Sequence, residues 1–198
     1  MALSGPSRAC TSGAGLFLLL LVLPLALPPT QPSAAGTEFR PAAVKPEPSA
    51  LGSASSKGLQ AVLETDHGIL TIELFSATAP KTVARFTELV KRGFYNGLTF
   101  YRVLPKFLVQ TGDPSGEGTG GSGQNLPAEF NERKHVAGTV GMARRHDPDS
   151  ADSQFYICLE PQPFLDGKYT VFGQVIDGLE TLPKIQERDT VRKLSLKP

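Results

Sequence analysis

Short runs in which apolar and polar residues alternate dominate the chain from about residue 59 onward, and they predict strands. Residues 60–66 and 69–75 are rich in β-branched side chains and are joined across His67-Gly68, which predicts a hairpin. Leu70, Ile72 and Leu74 then fall on one face of the second strand. Further strands are predicted at 100–104, 107–110, 139–143, 154–159, 170–175 and 191–196. Between the second and third strands the period changes. Pro80 opens a segment in which Val83, Phe86 and Val90 recur at helical spacing and Gly93 supplies a stop, so this helix should cover an opening of the sheet. A second, short helix is predicted at 179–185, limited by Pro183. Eight short strands with Gly-rich turns predict a mainly β fold, an antiparallel barrel closed or nearly closed on itself.

Ahead of these runs the pattern is different. The first 35 residues hold Arg8 and no acidic residue, and residues 16–27 (LFLLLLVLPLAL) form a nearly pure apolar run. A membrane-spanning helix needs roughly 20 apolar residues, whereas the apolar core of a signal peptide needs only about 7 to 15. Pro24 interrupts the run, and Ser33, Ala34 and Ala35 follow as a small-residue cleavage site. Residues 1–35 therefore read as a secretory leader, with an uncleaved N-terminal anchor as the alternative. Residues 36–58 are rich in Pro, Ala and Ser without apolar periodicity and read as a disordered linker, which leaves 59–198 as the globular domain. Either form of the leader puts that domain outside the cytoplasm. A periplasm is the expected compartment, a secretory or organelle lumen the alternative, and a membrane is a partner only if the leader is kept.

The leader carries one of the chain's 20 basic residues and none of its 19 acidic ones. A domain so nearly neutral, with no basic block, is not built to hold nucleic acid. Cys10 lies in the leader, so Cys158, set in FYICL, has no intramolecular partner and reads as an inert buried thiol. His67, His135 and His146 stand at no metal-ligand spacing from one another or from Cys158, and no metal or cofactor is expected. Gly116, Gly118 and Gly121 match a dinucleotide spacing formally, but no helical pattern follows to receive a pyrophosphate. The loop 113–123 is instead expected to be flexible and to border a cleft. No G-x-S-x-G elbow is present, which argues against hydrolytic chemistry.

One cation does stand out. In FYRVL, alternation puts Phe100, Arg102 and Leu104 on one face, so the Arg102 guanidinium is expected among apolar side chains and in need of a partner. In DSQFYICL the same rule puts Phe155, Ile157 and Leu159 on one face and Gln154, Tyr156 and Cys158 on the other.

Four stretches taken together carry a resemblance: FYRVLPKFLVQTGDPSGEGTGG from Phe100, VGMA from Val140, SQFYI from Ser153 and FLDGKYTVFGQV from Phe164. In this order and spacing the chain resembles the cyclophilin-type peptidyl-prolyl isomerases, of the compact bacterial kind, over residues 59–196. The resemblance implies an eight-stranded antiparallel barrel capped by two helices, with the substrate groove on its outside. It implies that Arg102 is the catalytic arginine and that Phe107, Leu108, Tyr156 and Leu165 form the proline pocket. Phe164 and Tyr169 would sit at its rim, while Gln110 and the backbone around Ala143 and Arg144 hold the substrate backbone. The implied partners are Pro-containing unfolded or folding polypeptides, met by a monomer. A binding module that holds such segments without turnover is the competing reading. Several positions depart from the pattern best known in eukaryotic members. Leu108 stands where methionine is common, Thr111 replaces a glycine, Phe164 a tryptophan, Tyr169 a histidine and Arg144 an asparagine. Because Phe164 lacks an indole N–H, weak binding of cyclosporin is implied.

Overall fold

Eight antiparallel strands form one curled sheet in the computed structural model, which describes residues 58–197. The predicted leader, and all of the predicted linker except Gly58, lie outside the described residues. The strands are β1 (Gln60–Thr65), β2 (Gly68–Leu74), β3 (Arg102–Leu104), β4 (Leu108–Thr111), β5 (Thr139–Met142), β6 (Phe155–Cys158), β7 (Val171–Asp177) and β8 (Val191–Lys197). They are hydrogen-bonded in the order β3-β4-β6-β5-β7-β2-β1-β8. The first hairpin turns one residue earlier than the sequence suggests. Thr65 pairs with Gly68, so Asp66 and His67 make the turn, and the Thr65 hydroxyl donates to the Gly68 carbonyl.

The mainly β fold with eight antiparallel strands and two helices is the one the sequence predicts, but the ladder is not continuous around the ring. The sheet is a half-barrel whose edge strands β3 and β8 do not pair along their length. A single bridge between Thr99 and Thr190 spans the seam, supported by backbone bonds from Phe100 to Asp189, from Arg188 to Phe100 and from Val191 to Leu98. The cause is local. Phe100 turns fully into the core, and the chain regains strand geometry only at Arg102, so the stretch before β3 cannot extend the ladder.

Helix α1 (Pro80–Lys91) begins with proline in its first turn, where the missing N–H costs nothing. Its N-cap Ala79 has no side-chain acceptor. The Glu129 carboxylate, distant in sequence, accepts from the Lys81 and Thr82 amides at 2.9 and 2.8 Å and satisfies two orphan donors. At the other end Gly93 adopts φ 67°, with its amide bonded to Val90 and that of Phe94 bonded to Leu89, the paired bonds of a Schellman stop. Residues 179–184 form a 3₁₀ helix where a short helix was expected, with Pro183 inside it.

Packing divides into two clusters on opposite faces of the sheet. The larger fills the inside of the curl, where Phe86 of α1 meets Tyr95, Phe155 and Phe172 at ring-centroid distances of 5.1 to 5.5 Å. The smaller lies outside, formed by Leu108, Tyr156, Cys158 and Leu165 with Phe107, Ala143 and Tyr169 packed against it. Strands β4, β5 and β6 are buried on both faces, and of the three only β6, FYIC, is an unbroken apolar run. Phe86→Ala is expected to lower the unfolding free energy by about 3–5 kcal/mol in urea titration. A loss below about 1 kcal/mol would show that the aromatic cluster does not hold the helix to the sheet.

Candidate active site

The outer cluster is built on strand register. Arg102 of β3 lies opposite Gln110 of β4, Gln110 opposite Tyr156 of β6, and Tyr156 opposite Gly141 of β5, so these four form a row across adjacent strands. Gly141 is required there: a Cβ at that position would come within 2.5 Å of the Tyr156 ring and hydroxyl. Val109 and Ile157, one residue along, point into the inner core.

Arg102 is exposed, and it does not share a face with Phe100 as strict alternation predicts. The irregular backbone before β3 sends Phe100 inward and leaves Arg102 with Gln110 on the outer face. Arg102 Nη1 donates to Gln110 Oε1 at 3.3 Å. The rest of the Gln110 amide is committed elsewhere. Its Nε2 donates to the Tyr101 hydroxyl and to Gln154 Oε1, and the Tyr101 hydroxyl donates to the same Gln154 oxygen. Gln154 Nε2 in turn donates to the carbonyls of Gly118 and Gly120 at 3.1 and 2.8 Å. Those contacts orient the amide so that its oxygen faces the guanidinium. Burial, with Asp113 nearby, pushes the Tyr101 phenol up to about 12, so it remains a donor.

The loop 113–123 borders the cleft as expected, yet it is pinned. Asp113 is buried and accepts from the Ser115 hydroxyl and from the amides of Ser115, Glu117 and Gly118. Burial opposes ionisation of Asp113, but the bonds from Ser115, Gly120 and Gly118 outweigh it and hold the carboxyl below its usual range.

Beside Arg102 and Gln110 opens a pocket of about 210 Å³. Leu108 and Tyr156 form its floor, and Phe107 and Leu165 its walls. The turn Pro163–Leu165 buries Leu165 and leaves Phe164 58% exposed at the rim, where its ring lies 5.7 Å from that of Phe107. Tyr169 meets Tyr156 edge-on at 5.9 Å, and Ala143 and Arg144 complete the lining. All ten residues singled out in the sequence therefore surround one pocket. Arg144 is not a loose charge there. Its guanidinium donates to the carbonyls of Lys168, Arg145 and His146 and stacks 4.7 Å from the Tyr169 ring centroid, clamping two loops at the rim. A second cleft of about 240 Å³ adjoins the first through Arg102, Gln110, Ala143 and Arg144, and the Gly118–Gly120 loop and Asp152 bound its far side.

Tyr101 and Gln154 were not legible as site residues. Alternation placed Tyr101 opposite Arg102, and only the SQFYI run hinted at Gln154. Cys158 lies under the pocket, fully buried, and burial pushes its thiol up to about 12.

The pocket is largely apolar, carries a cation at its edge, and includes no serine, cysteine, histidine or carboxylate in its lining. Together with the curled antiparallel sheet this defines an apolar groove edged by a cation. Comparison with known proteins supplies the class. The family model described as cyclophilin type peptidyl-prolyl cis-trans isomerase matches residues 61–197. A peptidyl-prolyl cis-trans isomerase of Synechococcus elongatus is 48% identical over 139 residues, covering 70% of this chain and 94% of that protein. One of Helicobacter pylori is 41% identical over 143 residues, covering 70% and 87%. The crystal structure of a Cryptosporidium parvum cyclophilin type peptidyl-prolyl cis-trans isomerase, in the presence of the dipeptide Ala-Pro, matches with a TM-score of 0.66 at 30% identity, covering 70% of this chain and 99% of that one. The chain belongs to the cyclophilin-type peptidyl-prolyl cis-trans isomerase family and is an enzyme of that type.

A thiol with its pKa raised by burial keeps its proton in the folded state, so Cys158 favours folding at neutral pH. That contribution is lost as pH climbs from the ordinary thiol value of 9.0 toward about 12. Cys158 is expected to resist a thiol reagent at pH 8 until the domain unfolds; rapid labelling located at Cys158 by peptide mapping of the native protein would contradict its burial.

Proposed function

We propose that this groove accelerates rotation about X-Pro bonds in unfolded or folding polypeptides, with Arg102 as the catalytic group. The observation that carries the reading is the convergence of Arg102 and an oriented Gln110 on the edge of one apolar, ring-sized pocket. Rotation about a prolyl amide meets a barrier of about 18–20 kcal/mol, because the nitrogen lone pair is conjugated with the carbonyl. A guanidinium donating toward the prolyl nitrogen favours the pyramidal nitrogen of the twisted state over either planar form, so it binds the transition state best. Arginine suits this role because its charge needs no tuning and its donors are fixed in a fork. The pocket of Phe107, Leu108, Tyr156 and Leu165 holds the ring while the preceding residue turns. Its low polarity strengthens the nearby cation's field. Gln110 and the backbone at Ala143 and Arg144 hold the substrate chain. The presence of an Ala-Pro dipeptide with the Cryptosporidium parvum relative supports a Pro-containing ligand for this groove.

The compartment follows from the leader. The enzyme acts as a foldase outside the cytoplasm, in a periplasm, and residues 36–58 give the domain reach if residues 1–35 stay attached as an anchor.

Arg102 is exposed and bonded only to Gln110 among the described residues, so its removal should spare the fold. Arg102→Ala is expected to lower the catalysed rate on an Ala-Pro peptide by about a hundred- to a thousandfold, with stability kept within about 0.5 kcal/mol. Wild-type turnover in the folded variant would refute the mechanism. For the compartment, mass measurement of the protein from its own cells should give a chain beginning near Gly36, or an intact chain in the membrane fraction. Recovery of the intact chain from the cytosol would count against export.

A further inference from the structure

Turning the prolyl bond makes no use of His135, although it is the most deeply buried histidine of the domain, at 1% exposure. Its Nε2 lies 2.9 Å from the Tyr156 hydroxyl and its Nδ1 lies 3.0 Å from Asp166 Oδ1. The same carboxylate oxygen accepts from the His135 backbone N–H at 2.9 Å. Asp166 follows directly on the Pro163–Leu165 turn that carries two pocket residues, Phe164 and Leu165.

The direction of these bonds follows from the chemistry of the three groups. The backbone and ring N–H groups of His135, joined by Lys134 at 3.4 Å, hold the Asp166 carboxyl below its usual range, so it is an ionised acceptor. A carboxylate only accepts, so Nδ1 carries the proton and donates to it. In the neutral ring Nε2 is then a bare acceptor, and the Tyr156 O–H donates to it. Burial keeps that phenol protonated and able to do so.

The tie meets a local need. Tyr156 lies over strand β5 at Gly141, which offers no side chain of its own, and the Tyr156 hydroxyl bonds only to His135 among the described residues. The pocket floor on β6 and the wall at Leu165 belong to separate elements. We propose that His135 is a positioning residue: braced by Asp166, it holds the Tyr156 hydroxyl and so fixes the floor of the proline pocket to its wall. A pocket set before the substrate arrives spares the ordering that binding would otherwise demand. This rests on the reading that the pocket receives the prolyl ring.

The test is a double-mutant cycle read as KM against kcat for an Ala-Pro peptide, joined to imidazole ¹⁵N spectra. Tyr156→Phe removes the hydroxyl alone and is expected to raise KM roughly three- to tenfold, the range for one lost buried hydrogen bond, with a smaller change in kcat. His135→Gln should raise KM to a similar degree alone and add nothing in the Tyr156→Phe background. The spectra should show the Nδ1–H tautomer, with the Nε2 resonance displaced by Tyr156→Phe. An unchanged KM in Tyr156→Phe, an equal rise from His135→Gln in both backgrounds, or an Nε2–H tautomer in the wild type would each overturn the proposal. Failure of the underlying site reading is recognised separately, by full turnover in Arg102→Ala; with Arg102→Ala inactive, those results bear on His135 alone.

Discussion

The hydrogen bond from Arg102 to the Gln110 amide is the contact on which the groove depends. A guanidinium on a three-residue edge strand, facing solvent, has many rotamers open to it, and the catalytic role proposed for it requires one. Gln110 supplies that restraint because its own amide cannot turn. Tyr101 and Gln154 hold its nitrogen, and the carbonyls of Gly118 and Gly120 hold Gln154. A charge at the molecular surface is thus aimed by a line of neutral groups that ends in a loop pinned around Asp113.

The apolar half of the site depends on a sheet that is buried twice. Alternate residues of β4 and β6 serve different cores: Val109, Phe155 and Ile157 fill the curl, and Leu108, Tyr156 and Cys158 form the outer cluster, whose Leu108 and Tyr156 line the pocket. Shifting either strand by one residue would exchange the two sets and destroy both. Stability and function are therefore written into the same register, and the inner aromatic cluster that holds α1 also fixes the geometry of the groove. The proposed bond rotation needs no reactive side chain, which is consistent with Cys158 being sealed beneath the pocket.

Much of this was legible in the sequence, because alternation and turn residues report directly on which face a strand buries. The eight strands lie close to their predicted positions, and the helix from Pro80 ends at the glycine expected to stop it. Arg102 stood out by its place in an alternating strand, the other nine groove residues came from the family resemblance, and all ten meet around one pocket. What escaped were features that arise only when distant segments meet. The face of Phe100 was misread because a bend before β3 breaks the two-residue period, and the same bend hid Tyr101 from the groove. Glu129 as the cap of α1, Gln154 as the anchor of Gln110, and His135 between Asp166 and Tyr156 are contacts across tens of residues. The glycine loop read as flexible, since nothing in its composition shows that Asp113 is buried at its root. The eight strands left open a barrel closed or nearly closed, and the inward turn at Phe100, with one bridge at the seam, decides against full closure.

If Arg102 acts on the twisted bond and not on either planar form, affinity and rotation must be separable. Nuclear magnetic resonance titration of one Ala-Pro peptide against wild type and Arg102→Ala yields both quantities, the dissociation constant and the cis–trans exchange rate of the bound peptide. The expected result is a similar dissociation constant for the two proteins with exchange on the variant slowed by about a hundredfold or more. A large loss of affinity with the exchange of bound peptide unchanged would show that Arg102 merely binds the substrate, and would contradict the central role given to it.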